Sequence, residues 1–220
     1  MKNTAVIVWN TARKISEKKG SSPGGIYELS SGEKYYVKFS GQESDDRIWN
    51  EYLAEEVYKT LKIAIPETIM VSINGEIGHA SKFLEENGHL DLNELKHGFV
   101  ADCLLANWDI VSHLGDEARN VLMHDSVLYR IDNGGALLFR ARGERKINEA
   151  FNGTVAELET MKGSYPGLTE MDILSQSEML KMVLTDQKID ELVESVNLID
   201  EDGLYLKDIL KRRRDFTLLA

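Results

Sequence analysis

Lys38 stands in the run Tyr36-Val37-Lys38-Phe39, where apolar neighbours mark a strand and a lysine can offer its ammonium to an anion. Glu51 follows on a helical segment, beside its apolar stripe, where a carboxylate can pair with Lys38 and orient it toward a phosphate. Glu55, one turn on, competes for the same lysine. Upstream, Gly20-Ser21-Ser22-Pro23-Gly24-Gly25 joins three glycines and two hydroxyls, so that backbone N–H and O–H groups can meet phosphate oxygens. Alone this signal is weak, a surface turn being the commoner origin of such a cluster. A second group lies in Asn107-Trp108-Asp109, Asn120 and Ile131-Asp132-Asn133-Gly134-Gly135. A short hairpin between Asn120 and Asp132 returns the chain and brings these two together at its open end. A carboxamide oxygen beside a carboxylate is a hard-oxygen pair suited to Mg²⁺. Asp109 is then placed to orient an attacking hydroxyl. An Asx-rich set of loops and caps is the alternative reading.

The elements that must position these residues change character along the chain. Up to about Glu85 the signals are strand and turn. Gly25–Leu29 and Tyr35–Phe39 form a hairpin about Ser31-Gly32-Glu33, and Ile69–Ile73 and Ile77–Leu84 form another about Asn74-Gly75. Between them, Ser44-Asp45-Asp46 caps a helix whose stripe is Ile48, Tyr52, Leu53, Val57 and Leu61. Beyond Glu86 a helical pattern takes over. Leu95–Trp108 reads as a helix burying Phe99, Cys103 and Leu104, and Val121–Met123 and Val127–Ile131 flank His124-Asp125-Ser126 as a hairpin. Further helical segments lie near Val155–Met161, Glu170–Leu184, Lys188–Val196 and Leu204–Arg214. The expected fold is α+β with two lobes, residues 1–85 strand-rich with one helix and residues 86–220 mostly helical.

Composition narrows the chemistry. The 220 residues carry 26 basic and 37 acidic side chains, a net charge of −11, which argues against non-specific nucleic-acid binding. One cysteine, Cys103, excludes an intrachain disulfide and a multi-cysteine zinc site. The histidines at 79, 89, 97, 113 and 124 lack paired metal spacing, and no Gly-x-Ser-x-Gly occurs. No stretch is long and apolar enough for a membrane helix, and Ala5–Trp9 is too short for a signal-peptide core, which points to a reducing cytosol or to delivery there. Phe139-Arg140-Ala141-Arg142-Gly143-Glu144-Arg145-Lys146 is a basic island in an acidic chain. It reads as a solvated loop, or as a grip on an acidic or phosphorylated acceptor through Arg140, Arg142, Arg145 and Lys146. Lys211-Arg212-Arg213-Arg214 reads as the basic last turn of a helix, with a partner or lipid patch as the alternative.

The order of these parts resembles an atypical kinase of the protein/lipid-kinase-like superfamily, nearer to its HipA-like and phosphoinositide-kinase-like branches than to ordinary eukaryotic protein kinases. The resemblance rests on Gly20–Tyr27, Tyr35–Phe39, Asn50–Ala54, Gly98–Asp109 and Tyr129–Ala141, and spans about residues 20 to 150. The last two segments are similar to kinase-like domains of bacterial and phage proteins. It implies ATP and Mg²⁺ as cofactors, Gly20, Ser21, Ser22, Gly24 and Gly25 over the phosphates, and Lys38 on the α/β-phosphates held by Glu51. It also implies Phe83-Leu84-Glu85 as the hinge against the adenine, Asp109 as catalytic carboxylate, and Asn120 and Asp132 as metal ligands. Asn107-Trp108-Asp109 replaces His-Arg-Asp, Asp132-Asn133-Gly134 replaces Asp-Phe-Gly, and no Ala-Pro-Glu follows. The longer gap from Asp109 to Asn120 leaves Asn107, Asp116 and Asn133 as substitutes for Asn120. The implied activity is transfer of phosphate to a protein Ser/Thr or Tyr hydroxyl, Ser/Thr being favoured. A small-molecule or lipid acceptor, AMP transfer and a nucleotide-binding pseudokinase are the alternatives.

Overall fold

In the computed structural model, residues 4–17, 23–40, 46–112, 120–147 and 150–217 are described. Six strands make one sheet: β1 (Val6–Val8), β2 (Arg13–Glu17), β3 (Gly24–Glu28), β4 (Lys34–Phe39), β5 (Thr68–Ile73) and β6 (Glu76–Lys82). Their spatial order is β1-β5-β6-β4-β3-β2, with β1 parallel to β5 and every other pair antiparallel. Consecutive strands β1 and β2 therefore lie at opposite edges. Laid flat, those edges would stand roughly 24 Å apart at about 4.8 Å per strand spacing. The four residues between Val8 and Arg13 let the chain reach at most about 18 Å. The sheet has to curl. Trp9, in that connection, is buried with Tyr35, Val37, Phe39, Val71 and Ile73.

Period-two alternation along β4 decides which way Lys38 points. Tyr35, Val37 and Phe39 enter the Trp9 cluster, so Tyr36 and Lys38 take the other face. Helix α1 (Asp46–Thr60) covers that face, burying Ile48 and Trp49 against Met70. The expected stripe divides between two cores, because Leu53, Val57 and Leu61 pack instead with the helical lobe. At the β5–β6 turn, Asn74 and Gly75 both take positive φ, 54° and 86°, as a two-residue hairpin of this type requires.

The second lobe comprises α2 (Phe99–Leu104), α3 (Asp109–Ser112), the hairpin β7 (Val121–His124) and β8 (Val127–Arg130), α4 (Glu157–Thr160), α5 (Glu170–Val183), α6 (Asp186–Glu194) and α7 (Asp200–Phe216). The helix expected over Leu95–Trp108 is a 3₁₀ segment to Gly98 followed by α2. It stops at Leu104, and Ala106 turns the chain with φ +49°. Phe99, Cys103 and Leu104 are buried as expected. Arg213, in the last turn of α7, donates to the carbonyls of Cys103, Leu104, Asn152 and Thr154 and pairs with Glu157. Arg214 binds the Leu184 carbonyl and Asp186, and Lys211 meets Asp190. Lys211, Arg213 and Arg214 thus tie the helices together, while Arg212 stays exposed and pairs within α7 with Asp208. No helix among the described residues is long and apolar enough to cross a membrane.

Candidate functional site

The curled sheet, α1 and the end of β8 enclose a cavity of 310 Å³, within the usual range for small-molecule sites. Its walls include Tyr36, Leu84, Leu122 and Ile131, and its polar end is formed by Lys38, Glu51 and Asp132. The Lys38 ammonium donates to Glu51 Oε1 at 2.6 Å and to Asp132 Oδ1 at 2.5 Å. Burial alone would lower the affinity of Lys38 for its proton. Asp132 and Glu51 outweigh that penalty and hold it well above the ordinary lysine range. Glu51 is buried, and desolvation raises its pKa. Asp132 is 60% exposed and occupies left-handed backbone, φ 51°, which Asp tolerates better than most residues.

Antiparallel pairing places His79 of β6 beside Lys38 of β4. Its Nε2 donates to Glu55 Oε2 at 2.7 Å, both groups being almost fully buried. Desolvation opposes the charged imidazole, but Glu55 more than compensates and raises the pKa of His79. By the same pairing, Glu55 is held below its usual value despite burial. Glu51 therefore serves Lys38 and Glu55 serves His79, which settles the competition between the two glutamates. Glu51, Glu55 and His79 cluster closely enough to suggest a metal site, yet the His79 nitrogen in question holds a proton for Glu55.

From Glu55 a chain of polar contacts crosses to the second lobe. Asn133 Nδ2 donates to Glu55 at 3.4 Å, Asn107 Nδ2 to Asn133 Oδ1 at 3.2 Å and to Tyr58 Oη at 3.1 Å, and Tyr58 to Asp102 at 2.7 Å. Asn107 lies two residues before Asp109, and Asn133 directly follows Asp132. Both are fully buried and engaged in this chain, away from the cavity lining. Sequence reasoning missed His79, whose place beside Lys38 depends on β4 and β6 being neighbours although α1 and β5 separate them in the chain.

Asp109 begins α3 and lines a second pocket of 260 Å³ with Trp108, Arg140 and Arg142. Gly135 lies so close that a Cβ there would stand 2.0 Å from Asp109 Oδ2, so a larger residue would push the Asp109 carboxylate from its place. Asn120 leads into β7, and its carbonyl accepts from Ile131 N at 3.0 Å, which brings it across from Asp132 at the hairpin's open end. Gly24 and Gly25 lie within β3, opposite Lys38 and Val37. A Cβ on Gly24 would meet the Val37 carbonyl at 2.0 Å, so this glycine also permits the strands to pair. Gly20, Ser21, Ser22, His113 and Asp116 lie outside the described residues.

Phe83 and Leu84 line the first cavity, whereas Glu85 is exposed outside the lining and its carbonyl accepts from the His124 ring at 2.7 Å. Of the basic island, Arg140 and Arg142 face the second pocket. Arg145 instead pairs with Asp202 and lies over the Phe139 ring. Lys146 is buried, its ammonium spent on two backbone carbonyls. Of the four basic residues, Arg140 and Arg142 stand on the exposed rim of this pocket, while Arg145 and Lys146 have partners within the fold.

No protein-family model and no curated protein matches the chain. Among solved structures, the Helicobacter pylori proinflammatory kinase CtkA superposes with a TM-score of 0.64 at 14% identity, covering 98% of both chains. HipA of a Shewanella oneidensis MR-1 toxin–antitoxin system, solved with HipB and operator DNA, superposes with a TM-score of 0.50 at 12% identity. That match covers 96% of this chain and 68% of HipA. The chain has the atypical, HipA-like kinase fold, with a six-stranded N-lobe and a helical C-lobe.

Proposed function

We propose that this protein is an ATP- and Mg²⁺-dependent phosphotransferase acting on Ser or Thr hydroxyls of a protein. One observation carries the reading: an ammonium fixed between Glu51 and Asp132 at the polar end of a cavity large enough for a nucleotide base. In this reading the base lies against Leu84 and Phe83, and Lys38, oriented by Glu51, neutralises phosphate oxygens. Nucleotide phosphates would compete with Asp132 for Lys38 and release the Asp132 carboxylate. Asp109 orients the acceptor hydroxyl and accepts its proton as the new O–P bond forms and the bond to ADP breaks.

The residues fit a divalent ion. Glu51, Glu55 and Asp132 outnumber Lys38 and His79, so the cluster tolerates added positive charge. Asp132 and Asn120 supply the oxygen donors Mg²⁺ takes, and the ion bound there would neutralise phosphate charge.

The test is incubation with Mg²⁺ and ATP labelled at the γ-phosphate, in the presence of protein extract and of a small-molecule extract. Label on a protein Ser or Thr is the expected result. Label on a small molecule would overturn the acceptor class. Transfer from α-labelled ATP would replace phosphoryl transfer by AMP transfer, and nucleotide binding without any transfer would leave a pseudokinase.

A further inference from the structure

Lys146 is 2% exposed. Its ammonium donates to the Ala106 carbonyl at 2.9 Å and the Gly135 carbonyl at 2.7 Å. Those oxygens belong to different loops. Ala106 lies in the turn between α2 and Asp109, and Gly135 in the turn that follows Asp132. The lysine is anchored at its own end, where its N–H donates to Leu138 O and its carbonyl accepts from Phe151 N. Its side chain also lines the 260 Å³ pocket that holds Asp109. Resting on the phosphotransferase reading, we propose that Lys146 is a positioning residue, which clamps the loop bearing Asp109 to the loop bearing Asp132 and keeps a positive charge on the acceptor side of Asp109.

The charged groups around it come from several elements. Asp109 on α3 and Glu157 on α4 favour the ammonium, while Arg213 on α7 and Arg140 on the pocket rim oppose it. Burial is the largest influence, and the balance pulls Lys146 down to about 7. A neutral amine still has two N–H groups for its two carbonyls. Loss of the proton therefore leaves the clamp closed and removes only the charge and the third N–H. Turnover falls as pH rises through that value, because the charged form lies below it.

Two measurements test this. Lysine side-chain NMR of the whole protein, with Lys146 assigned by its loss in Lys146→Arg, is expected to show a midpoint near 7. A midpoint far below 7 would overturn the buried cation, one in the ordinary lysine range would overturn Lys146 as the source of an alkaline limb near neutrality, and neither reading needs turnover. In the second, turnover of the wild type is expected to decline with an alkaline limb near that midpoint. Lys146→Arg retains a charge that does not titrate here, and its limb is expected to move beyond about pH 9. Lys146→Met is expected to lose about 10²-fold in kcat with KM for ATP unchanged, since Lys146 does not line the nucleotide cavity. An unchanged limb in a folded Lys146→Arg protein would sink the proposal while leaving the kinase reading intact. Absence of any nucleotide-dependent turnover in the wild type would remove both. Should both variants fail to fold, the wild-type NMR midpoint decides.

Discussion

Two buried ionic clusters sit a few side chains apart, and they are built on opposite plans. Asp102 accepts from Tyr58, from Tyr165 and twice from Arg130, at 2.7–2.8 Å, so each carboxylate oxygen has two donors and one acid answers one cation. It is sealed: Asp102 is fully buried, and burial together with the Asp102 charge pushes both tyrosines well above their ordinary pKa, keeping them donors. The Lys38 cluster has three carboxylates for two cations, and one of them, Asp132, is open to solvent. A balanced, closed cluster fixes architecture. An unbalanced one beside a cavity is poised for a ligand that brings positive charge.

Breaking the closed cluster is expected to cost most. Arg130→Met strands Asp102 without a cation and should lower unfolding stability by about 3–5 kcal/mol, read from the urea midpoint. A loss below about 1 kcal/mol would put Asp102 in the same class as a surface acid. Asp132→Asn attacks the open cluster instead. Turnover should fall about 10³-fold, some 4 kcal/mol of barrier, with the urea midpoint nearly unchanged. Near wild-type turnover in a folded Asp132→Asn protein would falsify the metal assignment and the kinase reading with it.

The His79–Glu55 pair sharpens the contrast through pH. His79 has its pKa raised, so its stabilisation is complete below the free value of about 6.5 and fades as pH rises through the folded value. Glu55 has its pKa lowered, so its share is present above about 4.5 and fades as pH falls through its folded value. Lys146, whose pKa is lowered to about 7, adds stability of the opposite sign as pH rises above that value. The pair is therefore read from the difference between wild-type and His79→Gln urea midpoints, which should be largest between those limits. The alkaline decline of that difference, about 1.4 kcal/mol per unit of His79 shift, is the share that belongs to His79. An identical alkaline decline in that variant would assign it elsewhere. The smallest effect belongs to Asp125, at the tip of the β7–β8 hairpin, where it accepts from Asn87 far from both clusters. Asp125→Asn should change stability by no more than about 0.5 kcal/mol and leave turnover alone; a large loss of turnover would move the metal carboxylate from Asp132 to the hairpin tip.

Much of this arrangement was legible because local signals agreed with the fold. Asn74-Gly75 announced its hairpin, the α1 stripe announced a helix, and Asp132 was marked by an apolar strand before it and two glycines after it. Where tertiary pairing alone decides, the sequence is silent. Val6–Val8 is three residues long, and Arg13-Lys14-Ile15-Ser16-Glu17 is exposed throughout, so neither edge strand carries a period. Nothing between Leu104 and Asn107 is Gly or Pro, yet the helix ends there. Leu137 N bonds the Leu105 carbonyl and Lys146 the Ala106 carbonyl, distant groups that hold the turn. The Arg145-Lys146 pair looked like surface charge because a linear run of basic residues does not show that each side chain meets a different buried partner.

The placement of β1 bears on the order in which the molecule assembles. Val6 aligns with Met70, and the Thr4 amide donates to the Ser195 carbonyl at 2.8 Å, so the first strand is fastened to groups from both lobes. As the chain leaves the ribosome, β3, β4, α1, β5 and β6 have their partners close at hand. β1 can pair with β5 early, but its second fastening must wait until the chain has been made as far as Ser195. Closing so long a loop is slow relative to forming hairpins. Until it closes, β1 is held by β5 alone, and whenever so short a strand frays it exposes the β5 edge to pairing with another chain.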